Sequence, residues 1–92
     1  MKVFWSEPAD AQLEAIVEYI ANDNVQAALA LDDMLHQAAD TLQQFPNKGR
    51  PGRVPKTREL VAHPTYLLVY TLGADCVTIV GVLHTSRQYP PD

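Results

Sequence analysis

The hydrophobic positions in the first half of the chain follow the period of an α-helix. Leu13, Ile16, Val17 and Ile20 recur at the i, i+3, i+4, i+7 spacing that places side chains on one buried helix face. Ser6 is a suitable N-cap, because its hydroxyl can accept a hydrogen bond from a free N–H of the first turn. The pattern therefore predicts a helix that begins after Ser6 and buries one stripe of aliphatic side chains.

A second helix is predicted after the break at residues 22–24, where Asn24 can serve as its N-cap. Its apolar positions are Ala27, Ala28, Leu31, Met34, Leu35, Ala38, Ala39 and Leu42. The helix is expected to end at Phe45, since a residue that precedes a proline avoids the helical region. Two helices joined by so short a connection form an antiparallel αα-hairpin. His36 is expected on its exposed side.

The second half of the chain shows the alternation of β-strands. Strands are predicted at Arg58 to His63, Tyr66 to Leu72 and Cys76 to Leu83, with Gly81 favouring a bulge in the last of them. The apolar composition of the middle strand is typical of a central strand. A further short strand is predicted at residues 2–5, where the chain reads KVFW.

This element order, β-α-α-β-β-β, predicts an α+β fold in which the αα-hairpin packs on one face of a small antiparallel sheet. The opening strand is expected at the edge of the sheet or next to it. The length of 92 residues suits a single domain over residues 1–92 with a modest core. The residues expected to be buried are Trp5, Leu13, Ile16, Ile20, Leu31, Leu35, Leu68, Tyr70, Val77 and Ile79.

Between the helical and strand-like halves lies a basic segment, residues 46–63, with the sequence PNKGRPGRVPKTRELVAH. It holds five of the seven Lys and Arg residues of the chain. Its prolines and glycines specify its path, because proline restricts φ and glycine permits positive φ. A segment of specified path presents its cations at set positions, as recognition of an acidic partner requires.

Charge is distributed unevenly along the chain. Residues 1–47 contain one Lys against eight Asp and Glu, whereas residues 48–92 contain six Lys and Arg against three acids. A protein that binds many phosphate groups of a nucleic acid is usually basic overall. The net charge of −4 therefore indicates that any contact with nucleic acid is local or is made within a complex.

The single cysteine and the hydropathy pattern suggest a compartment. Cys76 cannot form an intramolecular disulfide and is expected as a small hydrophobic residue in a strand, which suits a reducing cytoplasm. No apolar run approaches the ~18 residues of a membrane span. We expect a cytoplasmic protein without membrane association.

The ionisable side chains of the second half are compatible with two kinds of site. The cluster comprises Arg50, Arg53, Lys56, Arg58, His63, His84, Arg87 and Tyr89. With His or Tyr moving protons and Arg stabilising a phosphorane, it would cleave RNA without a metal. Adjacent antiparallel strands are expected to bring Arg58 close to the C-terminal tail for this purpose. With Arg and Tyr as anchors, the cluster would instead dock an acidic protein surface.

The non-functional interpretation of the same cluster is a group of basic surface side chains that only keeps the protein soluble. The three histidines lack the spacing of a metal site, and no phosphate-binding glycine loop is present. No cofactor and no metal are therefore predicted.

Three stretches of the chain resemble the RelE/ParE superfamily of toxins from bacterial type II toxin–antitoxin modules. They are WSEPADAQLEAIVEYIA, FPNKGRPGRVPKTRELVAHPTYLLVY and VTIVGVLHTSRQYP, and together they cover nearly the whole chain. The succession of GR-x-GRVP-x-TREL, YLLVY and VLH-x-x-RQ is specific. The resemblance implies a small βααβββ toxin that is neutralised by an antitoxin encoded beside it.

Within this superfamily, members that resemble the ribonuclease RelE carry an Arg directly after the aromatic residue of the central strand. Here that position is Leu67, and on the preceding strand only Arg58 matches the bases of those members. The sequence therefore looks more like the ParE branch, whose members inhibit DNA gyrase without cutting RNA. That branch implies no catalytic residue and a target-binding set of Arg50, Arg53, Lys56, Arg58, Arg87 and Tyr89.

The alternative implied by the resemblance is a ribosome-dependent mRNA endonuclease of the RelE type, with Arg58, His84, Arg87 and Tyr89 as catalytic residues. A third interpretation is a non-catalytic co-repressor. Each implies a cognate ParD- or RelB-like antitoxin and contact with operator DNA only through that antitoxin. The antitoxin is expected to lay an acidic-tailed or amphipathic segment along the sheet and the αα-hairpin.

Overall fold

The computed structural model describes residues 1–86, which form two helices, a short 3-10 turn and five strands. Their bounds are β1 Lys2–Trp5, α1 Glu7–Ala21, α2 Val25–Asp40, the 3-10 turn Thr41–Gln43, β2 Arg50–Pro51, β3 Thr57–Val61, β4 Tyr66–Leu72 and β5 Cys76–His84. The α+β fold with a packed αα-hairpin is confirmed. The two-residue strand β2, within the basic segment, was not predicted.

Both predicted helix caps are present. Ser6 Oγ accepts a hydrogen bond from the backbone N–H of Ala9 at 3.2 Å, and Asn24 Oδ1 accepts one from Ala27 at 3.0 Å. Each bond satisfies an N–H that would otherwise lack a partner in the first turn. Within residues 1–86, neither helix is long and apolar enough to cross a membrane.

The five strands form one sheet in the order β1-β5-β4-β3-β2. Strands β2 to β5 are joined by antiparallel pairing, and β4 is the central strand as predicted. The prediction of an antiparallel sheet is wrong for β1, which pairs in parallel with β5 at the edge. A tight turn sets the direction only of the strands that it joins, and no such turn links β1 to β5. The sheet is therefore mixed.

A β-bulge interrupts β5 at the position where Gly81 favoured one. Val69 of β4 pairs with Gly81, but the next residue, Tyr70, pairs with Ile79, so that Val80 is the extra residue on β5. Because successive side chains of a strand point to opposite faces, the extra residue allows both Ile79 and Val82 to point toward the helices. Both side chains belong to the hydrophobic core.

The core lies between the αα-hairpin and the sheet. Its largest completely buried members include Leu35 and Leu42 from the helical side and Leu68, Tyr70 and Ile79 from the sheet. Seven of the ten residues predicted to be buried are buried, namely Leu13, Leu31, Leu35, Leu68, Tyr70, Val77 and Ile79.

The other three, Trp5, Ile16 and Ile20, are only half-buried and pack against the margin of the core. Trp5 lies on the edge strand, where its ring stands 4.8 Å from that of the exposed His36. Ile16 and Ile20 line surface grooves beside α1. The helical periodicity predicted the correct buried face of α1. How completely each side chain on that face is buried depends on which elements pack beside it.

Truncation of Leu35 tests this helix-on-sheet core. Leu35→Ala is expected to lower the free energy of unfolding by about 2–5 kcal/mol, because it removes a completely buried side chain and leaves a cavity. Ile16→Ala should cost less, since Ile16 is already partly in water. Leu29, which is 59% exposed on the same helix as Leu35, provides the control, and Leu29→Ala should change stability by less than about 0.5 kcal/mol. Urea unfolding followed by circular dichroism measures all three, and equal midpoints for Leu35→Ala and Leu29→Ala would contradict the packing.

Candidate functional site

The start of the basic segment is held in place by the hydroxyl of Tyr70, from the central strand. Tyr70 Oη donates to the carbonyl of Pro46 at 2.8 Å and accepts from the backbone N–H of Gly49 at 2.9 Å. A Cβ atom on Gly49 would lie 2.7 Å from Tyr70 Oη and 2.8 Å from the carbonyl oxygen of Glu59. Only glycine therefore fits where this turn meets the sheet.

The middle of the basic segment is held by the carboxylate of Glu59, on β3. Glu59 is 2% exposed and pairs across the ladder with Arg50. Its Oε1 accepts from Arg50 Nη2 at 3.2 Å, while its Oε2 accepts from the backbone N–H of Arg53 at 3.2 Å and lies 3.5 Å from Arg53 Nε. Both carboxylate oxygens are thus satisfied by the segment that folds over them.

These contacts change the acidity of Glu59. Burial of the carboxyl by itself raises its pKa, because a desolvated charge is costly. The hydrogen bonds from the Arg53 backbone and from the Arg50 and Arg53 side chains, together with the charge of Arg53, outweigh burial and hold the pKa of Glu59 below its ordinary value. The carboxylate is therefore ionised at neutral pH and offsets part of the charge of the two arginines.

The remaining cations of the segment differ in how much they contribute to folding. Arg58 donates from its guanidinium to the backbone carbonyls of Asn47 and Gly49, so it closes the same turn that Tyr70 anchors. Lys56 is exposed and has a positive φ of 70°. Within residues 1–86, its side chain makes no hydrogen bond or ion pair. Lys56 is thus presented outward at a position of restricted backbone geometry.

A second group of polar side chains lies at the other end of the sheet. The ring of Tyr66 stands 5.9 Å from that of His63 and 5.6 Å from that of His84. His63 Nδ1 accepts from the backbone N–H of Thr65 at 2.9 Å, and His84 Nδ1 accepts from that of Ser86 at 3.1 Å. Each imidazole, when neutral, therefore carries its proton on Nε2.

His84 and Tyr66 border a groove of about 360 Å³ between α1 and β5. Its other lining residues are Ala15, Ile16, Tyr19, Val82 and Leu83, so no Lys or Arg within residues 1–86 lines it. Also within this range, no group of three or more His, Cys, Asp or Glu side chains is placed to hold a metal ion.

The structure does not bring Arg58 next to His84, the last residue of β5. The expected approach of Arg58 to the C-terminal tail beyond residue 86 lies outside the described residues. Arg58 pairs with Tyr70 and His84 pairs with Tyr66, at positions four residues apart on β4. This separation is about 13 Å along the strand. The reason is topological, since two strands that both run antiparallel to β4 run parallel to each other. The beginning of β3 and the end of β5 therefore lie at opposite ends of the sheet.

The other predicted site residues fall into three groups. Arg50 and Arg53 are close together because both bind Glu59, and their side chains remain 61% and 43% exposed. Lys56 follows them in the same segment. Arg87 and Tyr89 lie outside the described residues.

Two residues that organise the basic segment, Glu59 and Tyr70, were not predicted from the sequence as site residues. Tyr70 was expected only as part of the core, and Glu59 only as one position of an alternating strand. A signal was available for Glu59, because it is the only acidic residue in the basic segment, which also holds five Lys and Arg residues. For Tyr70, no such signal was available. The composition of β4 does not indicate whether the hydroxyl of a tyrosine binds a distant turn or lies at the margin of the core.

Similarity to known proteins places the chain among the small toxins of the RelE/ParE superfamily. Residues 3–89 match the family described as "ParE toxin of type II toxin-antitoxin system, parDE". The chain belongs to this ParE toxin family, and membership of a type II toxin–antitoxin system implies an antitoxin partner.

Relatives and solved structures agree with this assignment. The chain is 37% identical over 90 residues to a protein of Sinorhizobium fredii named "Putative toxin Y4kP", covering 97% of this chain and 93% of that protein. It is 36% identical over 86 residues to "Toxin RelE2" of Caulobacter vibrioides, covering 94% of this chain and 97% of that toxin.

Among solved structures, a chain of the "Chromosomal ParDE TA system from P. aeruginosa" superposes with a TM-score of 0.79 at 26% identity, covering 91% of this chain and 95% of that chain. The solution structure of the conserved hypothetical protein HP0894 from Helicobacter pylori superposes with a TM-score of 0.60 at 20% identity, over 95% and 97% of the two chains. The second likeness shows the fold alone.

Removal of the Tyr70 hydroxyl tests the anchor of the basic segment. Tyr70→Phe is expected to lower the free energy of unfolding by about 1–3 kcal/mol, because the buried N–H of Gly49 loses its acceptor and the carbonyl of Pro46 loses its donor. Tyr19→Phe is the matched control, since Tyr19 is 79% exposed, and it should leave stability unchanged. Urea unfolding measures both variants. Equal stability of the two would mean that the hydroxyl of Tyr70 does not hold the turn.

The pH dependence of stability tests the role of Glu59. A carboxyl whose pKa is lower in the folded chain stabilises the fold above its unfolded value, 4.5, and loses this contribution as the pH falls through its folded pKa. Glu59→Gln should therefore be less stable than the wild type by about 1–3 kcal/mol at neutral pH. The difference should shrink below about pH 4.

The measurement is urea unfolding at several pH values for the wild type, Glu59→Gln and Glu18→Gln. Glu18 is exposed on α1 and binds no arginine within residues 1–86, so its variant should track the wild type at every pH. A constant difference between Glu59→Gln and the wild type across the whole range would show that the ionised carboxylate is not the stabilising species.

Proposed function

We propose that this toxin acts by binding DNA gyrase through a basic surface and that none of its side chains performs acid–base chemistry. The target-binding surface consists of Arg50, Arg53, Lys56, Arg58, Arg87 and Tyr89. The observation that carries this proposal is the separation of the candidate catalytic groups, with Arg58 and His84 at opposite ends of β4.

RNA cleavage without a metal needs a cation beside the group that moves the proton, because negative charge develops on the phosphorane. Around His84, the groove lining within residues 1–86 is apolar or aromatic and offers no such cation. Leu67, at the position where ribonuclease members carry an Arg, is 2% exposed and pairs with Val61 and Leu83. A buried leucine cannot offset that charge.

The basic surface suits recognition of an acidic protein partner. Arg50 and Arg53 are oriented by Glu59 while their side chains stay 61% and 43% exposed, so less conformational entropy is lost on binding than for unrestrained arginines. Lys56 adds a charge that makes no hydrogen bond or ion pair with the described residues 1–86. The acidic charge of the helical half disfavours a broad contact with nucleic acid.

A second candidate function is mRNA cleavage of the RelE type, with Arg58, His84, Arg87 and Tyr89 as catalytic residues. One specific observation favours it. His84 lines a groove of about 360 Å³, beside the ring of Tyr66. In either case the toxin would work in the bacterial cytoplasm, and it would reach operator DNA only through its antitoxin.

Charge reversal at Lys56 separates the two candidates. Lys56→Glu is expected to weaken inhibition of gyrase supercoiling several-fold to about tenfold, because it places like charge against an acidic partner without removing a contact that holds the fold. His84→Ala should leave that inhibition unchanged. Lys2→Glu, at an exposed lysine on β1, is the control for net charge. Arg58→Glu is a less clean probe, since Arg58 also closes the turn at Gly49.

The experiment runs gyrase supercoiling and ribosome-dependent mRNA cleavage in parallel on the same purified toxin, with folding checked by circular dichroism. mRNA fragments from the wild type, and their loss by about 10²–10⁴-fold in His84→Ala, would overturn the gyrase assignment in favour of the ribonuclease. Inactivity in both assays, together with no growth arrest on expression without antitoxin, would favour a co-repressor.

A further inference from the structure

The turn that follows the 3-10 helix presents an exposed aromatic ring. Phe45 is 60% exposed, and among the large hydrophobic side chains of residues 1–86 only Tyr19 is exposed more. Its ring borders a shallow recess of about 570 Å³ that is lined, within the described part of the chain, by residues 44–48 and by no helix or strand. Phe45 therefore does not cover the core. A single exposed apolar side chain is common, however, and does not by itself indicate a binding site.

The backbone on both sides of Phe45 is held in place. Its N–H donates to the carbonyl of Thr41 at 3.0 Å, and its carbonyl accepts from the N–H of Lys48 at 3.0 Å. The next residue, Pro46, has a φ restricted by its own ring, and its carbonyl accepts from Tyr70 Oη at 2.8 Å. An aromatic side chain has only two torsions, so on a fixed backbone it loses little conformational entropy when a partner covers it.

The charge along this part of the chain has one sign. Residues 41–58 contain no Asp or Glu, and their cations are Lys48, Arg50, Arg53, Lys56 and Arg58. Two of these cations contact the turn that carries Phe45. Lys48 Nζ lies 3.5 Å from Thr41 Oγ1, and Arg58 donates to the carbonyl of Asn47. An exposed aromatic ring beside an arginine has the composition of the residues that dominate protein interfaces.

We propose that Phe45 is an anchor of the target-binding surface and that its ring enters an apolar recess within an acidic surface of the target protein. Lys48 and Arg58 then face carboxylates around that recess. This inference rests on the proposed function, and it adds to the basic surface a contact residue that carries no charge.

The charge distribution favours a protein over a nucleic acid at this turn. The helix α2 ends at the exposed Asp40, close to Phe45 along the chain, and residues 7–40 hold eight acids and no Lys or Arg. A nucleic-acid strand stacked on Phe45 would find cations on one side of the ring and acids on the other. A protein surface needs to cover only the turn itself.

The first test measures binding of the full-length toxin to immobilised gyrase holoenzyme by surface plasmon resonance. Phe45→Ala should raise the Kd by about tenfold or more, mainly through faster dissociation, as expected for loss of an aromatic anchor. Tyr19→Ala is the matched control, because Tyr19 is an even more exposed aromatic residue beside the hairpin turn, at the opposite end of α2 from Phe45. It should bind like the wild type. Urea unfolding checks that both variants keep the fold.

A substitution of Lys48 separates the charge from the ring. Lys48→Ala should slow association several-fold at low salt and less at high salt, because exposed charges steer the encounter and are screened. Lys48→Arg keeps the charge and should restore the association rate. The effect of Phe45→Ala on dissociation should be the same at both salt concentrations. A loss in Phe45→Ala that disappears at high salt would overturn the role of the ring as an apolar anchor.

Two conservative substitutions distinguish a protein recess from a nucleobase. Phe45→Leu keeps an apolar side chain and should retain more gyrase binding than Phe45→Tyr, whose added hydroxyl would be buried without a partner. Stacking on a base would reverse this order, since it requires the face of a ring. Cleavage of mRNA that survives in Phe45→Tyr and is lost in Phe45→Leu would overturn the assignment to a protein partner.

Growth arrest on expression without antitoxin provides a readout that does not depend on the identity of the target. At equal protein levels, Phe45→Ala should lose growth arrest and Tyr19→Ala should retain it. Absence of gyrase binding by the wild type would overturn gyrase as the target, whereas loss of growth arrest in Phe45→Ala would still support the anchor.

Two outcomes would overturn this inference and leave the proposed function intact. One is gyrase binding and growth arrest by Phe45→Ala that equal those of the wild type. The other is weaker binding of the antitoxin by Phe45→Ala with gyrase binding unchanged, which would assign the turn to the antitoxin.

Discussion

The course of the basic segment depends on one buried carboxylate. Glu59 is placed under the segment by the pairing of β2 with β3, and its two oxygens bind Arg50 and Arg53. A buried carboxylate without these partners would carry a large desolvation cost, so the fold and the ion pairs require each other. The same residues that would recognise a target therefore first hold the segment in shape, and only part of their charge is available outward.

Tyr70 extends this constraint to the centre of the sheet. Its ring is completely buried in the hydrophobic core, while its hydroxyl reaches the turn at Pro46 and Gly49. Packing of the core and conformation of the surface segment are thus coupled through one side chain. Substitutions in the core that move β4 therefore also move the cations of the basic segment. The effect of a substitution on target binding needs to be separated from its effect on folding.

The two ends of the sheet have different chemical character. One end carries the basic segment, and the other carries the histidines and the apolar groove beside the acidic hairpin. Charge on the described part of the protein is thus divided between two surfaces of opposite sign, the basic segment and the acidic αα-hairpin.

Within residues 1–86, the sequence by itself determined both helices, four of the five strands and the α+β fold class. Helical periodicity with Ser6 and Asn24 as caps, strand alternation and the Gly81 bulge are local properties, and each is expressed within a few residues. Only the tertiary structure decided the parallel direction of β1, the distance between Arg58 and His84, and the role of Glu59. These depend on pairing between residues far apart in the chain, where local preference gives no direction or register. That is why residue types for a candidate site could be proposed from the sequence, whereas the separation of Arg58 from His84 could not.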